Sequence, residues 1–260
     1  MSRIISIHSY RGGTGKSNIT ANVAWLAARR GKRVAVLDAD LQSPGVHLVF
    51  KFDKSRLTHT LSDFLFNRCE LEEAAYDLSR SMDIGEGGGA LYLLPSNMSV
   101  EAITRILSEG YDTAKLNAQL TVLMDSLGLD FLFLDTHPGL NRETMLMTAI
   151  SDTLVILIRP DSQDFHGTAV LVEVAGRLKV PRVFMVANKV PARLPAADVA
   201  AKIQQAFGYE VVSVLPFSED VAILGSRDIF AARFPNHAFT RGLQKVTARI
   251  LAGDDPAEVS

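Results

Sequence analysis

The chain has little of what marks an exported or membrane-embedded protein. It holds a single cysteine, Cys69, so no disulfide can form within it, which suits a reducing compartment. No apolar run approaches the ~18 residues of a membrane span. No basic region followed by an apolar stretch precedes the first strand-like segment, so no signal peptide is read and a soluble, cytoplasmic protein is expected. Charge of neither sign is in excess: 27 Lys and Arg face 29 Asp and Glu, a net of −2. That balance excludes a global pull toward nucleic acid or membrane surfaces and leaves only local patches. Internal repeats and low-complexity linkers are missing too. A chain of 260 residues, 47% hydrophobic, then has enough apolar material for one sizeable core. The expected organisation is one domain over residues 1–252 and a flexible acidic tail over residues 253–260.

What is present is a regular alternation. Apolar runs near residues 4–8, 34–37, 91–94, 131–135, 154–158, 183–187 and 211–215 read as strands. Helical spacing appears at 17–30, 99–127 (broken near Gly110), 142–150, 163–178, 196–207 and 238–251. Residues 41–59, with Pro44 and Gly45, read as a loop, and 60–80 as two short helices. Gly85-Glu86-Gly87-Gly88-Gly89 follows no strand and opens no helix, so it reads as a flexible connection. Strands apolar on both faces, alternating with helices, mean an α/β three-layer sandwich with a mostly parallel central sheet. Right-handed crossovers place every strand's C-terminal end on one edge, where open α/β sheets bind ligands.

The first of those ends carries the chemistry. Ile4, Ile5 and Ile7 form a strand, a glycine-rich turn follows, and Lys16-Ser17 opens a helix. That order makes a P-loop. Glycines 12, 13 and 15 let backbone N–H groups curl inward on phosphate oxygens, and the helix adds its positive end. Lys16 reaches the β/γ-phosphates and Ser17 ligates Mg²⁺. The expected nucleotide-binding residues here are Gly12, Gly13, Thr14, Gly15, Lys16, Ser17 and Asn18. Tyr10 stands where the general motif has glycine.

Arg11-Gly12-Gly13-Thr14-Gly15-Lys16-Ser17 resembles the deviant Walker A box of the ParA/MinD ATPases, Lys-Gly-Gly-x-Gly-Lys-Ser/Thr. The resemblance spans about residues 1–235 and implies a P-loop NTPase of the nitrogenase-iron-protein/ParA/MinD type. In that family the first lysine reaches across an ATP-bound dimer to the partner's phosphates. Here the position is Arg11, whose guanidinium can grip two phosphate oxygens, as an arginine finger supplied in trans does.

Three further strand ends fit the resemblance. Asp135, with Thr136-His137-Pro138-Gly139 after it, looks like the Walker B strand and second switch. A carboxylate there fixes a Mg²⁺-bound water, and the Gly139 N–H can sense the γ-phosphate. His137 replaces the family's commoner proline and reads as a packed loop histidine or a phosphate sensor. Asp38-Ala39-Asp40 looks like the first switch. The resemblance implies Asp38 near the metal and Asp40 orienting the attacking water. Asn188-Lys189-Val190-Pro191 is similar to the Asn-Lys-x-Asp box of GTPases. Pro191 replaces the acid that accepts from guanine N–H groups, so adenine is expected, with Asn188 bonding its edge; the resemblance puts a second base-contacting segment at Pro216-Phe217, where Phe217 reads as a stacking residue or a core one.

Over residues 227–249 five cations face one acid, and Arg241, Lys245 and Arg249 share a helix face. They read as a solvated face or as a patch for nonspecific DNA. The acidic C-terminus argues against the amphipathic membrane anchor of MinD. The lone Cys69 leaves little for a metal carrier of the superfamily, which needs paired thiolates.

The resemblance therefore implies a slow, Mg²⁺-dependent ATPase, monomeric with ADP and dimeric with ATP. It would use Lys16, Asp40 and Arg11 catalytically, be stimulated by a protein partner, and position DNA or a cellular assembly. A client-remodelling or maturation ATPase, or an ATP-binding regulator with little turnover, are the alternatives.

Overall fold

The computed structural model describes residues 2–85, 87, 89–97 and 99–252. The strands are β1 (Arg3–His8), β2 (Arg33–Ala39), β3 (Tyr76–Asp77), β4 (Ala90–Leu94), β5 (Phe131–Thr136), β6 (Thr153–Ile158), β7 (Arg182–Val190) and β8 (Val211–Pro216). Among the described residues they form one sheet in the order β3-β4-β2-β5-β1-β6-β7-β8. All neighbours are parallel except the edge pair β3–β4. The helices are α1 (Lys16–Arg29), α2 (Val46–Val49), α3 (Leu61–Leu65), α4 (Val100–Glu109), α5 (Thr113–Ser126), α6 (Arg142–Ala149), α7 (Ser162–Arg177), α8 (Ala196–Phe207), α9 (Glu219–Leu224), α10 (Phe230–Arg233) and α11 (Ala238–Leu251). The architecture is the expected three-layer α/β sandwich.

Side-chain alternation along the strands divides the core between the two faces. Ile5, Ile7, Val34, Val36, Phe131 and Phe133 point to one face, under Ile19, Val23 and Ala27 of α1 and Leu243, Val246 and Ile250 of α11. On the other face, Ala35, Leu37, Leu132 and Leu134 meet Leu116, Leu120 and Leu123 of α5 and Met147 of α6. The same face continues with Leu154, Ile156 and Met185 under Leu171 of α7 and Ile203 of α8. β1 lies centrally, between β5 and β6; its own connection runs to β2 on one side, whereas β5 crosses to β6 and β6 continues to β7 on the other. That switch point opens a crevice at the strand C-termini.

Two local expectations need correction. Of the two short helices expected over 60–80, only α3 forms as an α-helix. Residues Glu72–Ala74 make a single 3₁₀ turn, and β3 then pairs antiparallel with β4. The Tyr76 hydroxyl accepts from the Thr58 and His59 N–H groups and donates to the His59 carbonyl. Those bonds hold the chain extended just where local periodicity favours a helix. The 41–59 loop also contains α2, whose Val46 and Val49 pack into the core.

Cys69 is half-buried against the α3–α5 side of the core, and burial with nearby acids pushes its thiol up to about 11. No helix among the described residues is long and apolar enough to cross a membrane. Glu86 and Gly88 of the glycine-rich connection, and the whole 253–260 tail, lie outside the described residues.

Candidate nucleotide site

The loop between β1 and α1 is held from outside, so its N–H groups face in. Lys189 Nζ donates to the Gly13 carbonyl at 2.7 Å, and Asn188 Nδ2 to the Thr14 carbonyl at 2.7 Å. With those carbonyls turned outward, the planar trans peptides aim the next N–H groups the opposite way. Thr14 Oγ1 donates to Ser9 Oγ, which donates to the Arg11 carbonyl and closes the turn. Gly15 caps α1 at φ 99° without a side-chain bond, and no acid occupies the first helical turn. A Cβ on Gly15 would sit 2.8 Å from Asn188 Nδ2, so both the backbone angle and the space require glycine. The unbonded N–H groups and the helix dipole leave an anion site.

Tyr10 is accommodated sideways. Its ring lies on α7 at Gly167, where a Cβ would come within 1.9 Å of ring carbon Cδ1. A bulky residue at this position of the loop therefore depends on a glycine far away in sequence.

Lys16 is nearly buried, and β2 and β5 bring two carboxylates beneath the loop. Asp38 and Asp135 are register partners on these adjacent parallel strands, and both are buried. Burial, with the charge of Asp38, pushes the Asp135 carboxyl up to about 8, partly offset by the Ser17 hydroxyl and Lys16. Asp38 is raised by burial and then by Asp40. Lys16 is lowered by burial against the pull of Asp135 and Asp40. Asp38 Oδ1 and Asp135 Oδ2 have no hydrogen-bond partner. The site is thus short of positive charge and of donors. No cluster of three His, Cys, Asp or Glu among the described residues could cage a metal. That donor set fits Mg²⁺, which keeps several waters and shares phosphate oxygens. Ser17 and Asp135, which are hydrogen-bonded to each other, are the residues that would hold it. Asp38 accepts from the Gly45 N–H at 3.0 Å, which anchors the far end of the first switch as well.

The loops that follow β2 and β5 meet each other and the P-loop. Asp40 Oδ1 accepts from His137 Nδ1 at 2.7 Å and from the Ser43 N–H at 2.9 Å. The Gly139 N–H, at φ 87°, donates to the Ser9 carbonyl at 3.1 Å. Thr136 Oγ1 donates to the Ile7 carbonyl and accepts from His8 Nδ1 at 2.6 Å. His8 was not singled out in the sequence. It is buried, and desolvation beside Lys16 lowers its pKa to about 3, so it bridges β1 and β5 as a neutral ring.

Arg11 leaves this cluster. Its guanidinium hydrogen-bonds Gln163 Oε1 and lies 4.0 Å from Asp161 and 3.9 Å from Asp164, at the α7 N-terminus. Asp164 is shared with Arg159, whose Nε donates to it at 3.0 Å.

Two cavities run end to end along the strand termini. One of about 340 Å³ is lined by the P-loop, Asp40, Ser43, His137 and Pro138. One of about 220 Å³ is lined by Ile19, Asn188, Lys189, Pro216, Phe217, Val221 and Phe239, among others. Gly15, Asn18 and Ser226 border both, so the two cavities adjoin at the P-loop. Ser226 carries no sequence signal; the loop after α9 brings it in. Asn188 sits at a bulge between β7 and β8, its Oδ1 accepting the Lys189 N–H while Nδ2 holds Thr14. One Nδ2 proton is left for a base.

The basic stripe lies outside the cleft. Arg241 and Lys245 are exposed on α11, but Arg249 Nε is paired with Glu210 at 2.9 Å, so the stripe is shorter than its spacing implied.

A family model described as an AAA domain matches residues 2–181. The chain belongs to that family. It is a ParA/MinD-type P-loop ATP-binding protein. An uncharacterised ATP-binding protein of Methanocaldococcus jannaschii is 25% identical over 100% of this chain and 91% of its own length. Among solved structures, the septum site-determining protein MinD of Pyrococcus horikoshii, complexed with Mg-ADP, superposes with a TM-score of 0.80. It is 22% identical and covers 96% of both chains. A ParA-family ATPase of Chlorobium tepidum gives a TM-score of 0.74 at 18% identity, over 95% of this chain and 97% of its own. These structures share the fold.

Proposed function

We propose that residues 1–252 form one ATPase unit, which closes on a second copy around Mg²⁺·ATP and opens after slow hydrolysis to ADP. The observation that carries this reading is the continuous cleft. It has a base cavity at one end, Lys16 and Ser17 at the other with Asp135 buried beneath them, and Asp40 on its wall. The P-loop N–H groups and Lys16 bind and orient the phosphates. Ser17 and Asp135 would hold Mg²⁺, which would supply positive charge beside the phosphates. Asp40 accepts a proton of the attacking water and aligns it. Arg11 acts across the dimer once it leaves the α7 N-terminus.

The carrying test is phosphate release. Asp40→Ala should be nearly inactive with ATP affinity kept, and Arg11→Ala should lose ATP-dependent turnover. Wild-type rates in Asp40→Ala overturn the mechanism. A second reading, an ATP-binding regulator with little turnover, is favoured by the docking of Arg11 on Gln163 and Asp164. Flat phosphate release by the wild type, with ATP still bound, would select it.

In the cell, this switch would act in the cytoplasm, stimulated by a protein partner, to position DNA or a cellular assembly. If DNA is the surface, Asp40→Ala binds nonspecific duplex with Mg²⁺·ATP but not ADP, and Arg241→Ala/Lys245→Ala abolishes it. The salt dependence should be steep, since binding releases counterions. Loss of the DNA arm alone would turn the search to a protein surface.

A further inference from the structure

Resting on the ATPase reading above, we propose that His137 is a positioning residue for Asp40. Its Nδ1–H fixes the rotamer of the carboxylate that aligns the attacking water.

The sheet register sets up the contact. Ala39 and Thr136 are partners at the ends of β2 and β5, and Asp40 and His137 are the next residues on each chain. The two loops therefore leave the sheet side by side. A carboxylate only accepts, so in the 2.7 Å contact His137 Nδ1 is the donor. The Ser43 N–H supplies a second bond to the same oxygen. With Oδ1 occupied twice, Asp40 presents Oδ2, which has no partner among the described residues, for a water in the phosphate cleft.

His137 is the better-braced partner. Its neighbour Thr136 is tied to Ile7 and His8, and Gly139 is tied to Ser9. The bond thus transmits the position of the central strands to the first switch. Proline, the commoner residue here in the family motif, has no side-chain donor, so this link is a property of this chain. It also differs from a phosphate sensor, which would use Nε2, on the far side of the ring from Asp40.

The two amides separate these roles. Asparagine carries its nitrogen where Nδ1 lies, glutamine where Nε2 lies. Expected for His137→Gln is a kcat roughly tenfold to a hundredfold lower, the cost of a misplaced reacting group, with KM for ATP within about twofold. His137→Asn should recover most of that loss. In an Asp40→Ala background, His137→Gln should lower turnover no further. The proposal is overturned if Gln keeps the wild-type kcat while Asn loses it, if both keep it, or if both lose it equally with a raised KM. Its failure is distinct from that of the ATPase reading. Wild-type turnover by Asp40→Ala removes both, whereas an inactive Asp40→Ala beside fully active His137→Gln and His137→Asn removes this inference alone.

Discussion

The two ends of the cleft are built by opposite means. The phosphate end is dense and buried: Lys16, Asp38 and Asp135 are shielded from solvent, and Asp40 and His137 are held by short hydrogen bonds. The base end is walled by side chains that are only partly covered. α9 has no buried residue, and Phe217 on the rim is 56% exposed. Burying like charges side by side costs stability, and a fold keeps them where a ligand supplies the opposite charge. Contacts with a flat, neutral base need no such arrangement. The phosphate end therefore rests on buried charge, and the base end on partly exposed apolar contact.

Variants at the two ends should differ in kind. The largest effect is expected from Lys16→Ala. It removes a cation beside the buried carboxylates, and phosphate release should fall by roughly 10²–10³. Retention of more than half the activity would mean that the phosphates lie elsewhere.

Asp135→Asn should divide activity from stability. Turnover should drop roughly 10–100-fold if Asp135 holds the metal, as proposed. The nucleotide-free protein should become more stable. A carboxyl pushed up to about 8 by burial binds its proton more tightly folded than unfolded. Its contribution to stability is present below its ordinary pKa and is lost as pH rises toward 8. Relieving that loss should raise the melting midpoint by about 2–4 °C at pH 8, if it is worth about 1 kcal/mol, with the gap closing near pH 4. A variant less stable than wild type at pH 8 would show that the carboxylate is compensated without metal.

Phe217→Ala tests the other end and should be the smallest effect. KM for ATP should rise about fivefold, the low end of what base stacking contributes, with kcat nearly unchanged. A fall in kcat would show that the base end is coupled to the chemistry.

Much of this was legible because it is local. The alternation of apolar runs gave the parallel layers, and the strand-end positions of Asp38, Asp135 and Asn188 followed from it. Features that depend on distant partners were not. Tyr76 starts an edge strand because its hydroxyl bonds the backbone at Thr58 and His59. Arg11 is drawn to α7, some 150 residues on, and no loop motif encodes the direction of a long side chain. Arg249 shares a helix face with Arg241 and Lys245 but meets Glu210 from the segment before β8. His8 reads as one polar residue ending an apolar strand, and only its contact with Thr136 gives it a place in the site. Ser226 reaches the cleft by a turn at positive φ that no spacing announces.

The most direct test is the mass of Asp40→Ala in solution, measured by light scattering with Mg²⁺·ATP and with Mg²⁺·ADP. The account predicts twice the monomer mass with ATP and the monomer mass with ADP, the difference vanishing in Arg11→Ala/Asp40→Ala. The same mass with both nucleotides, each shown to be bound, would contradict a switch that reads the γ-phosphate across two copies.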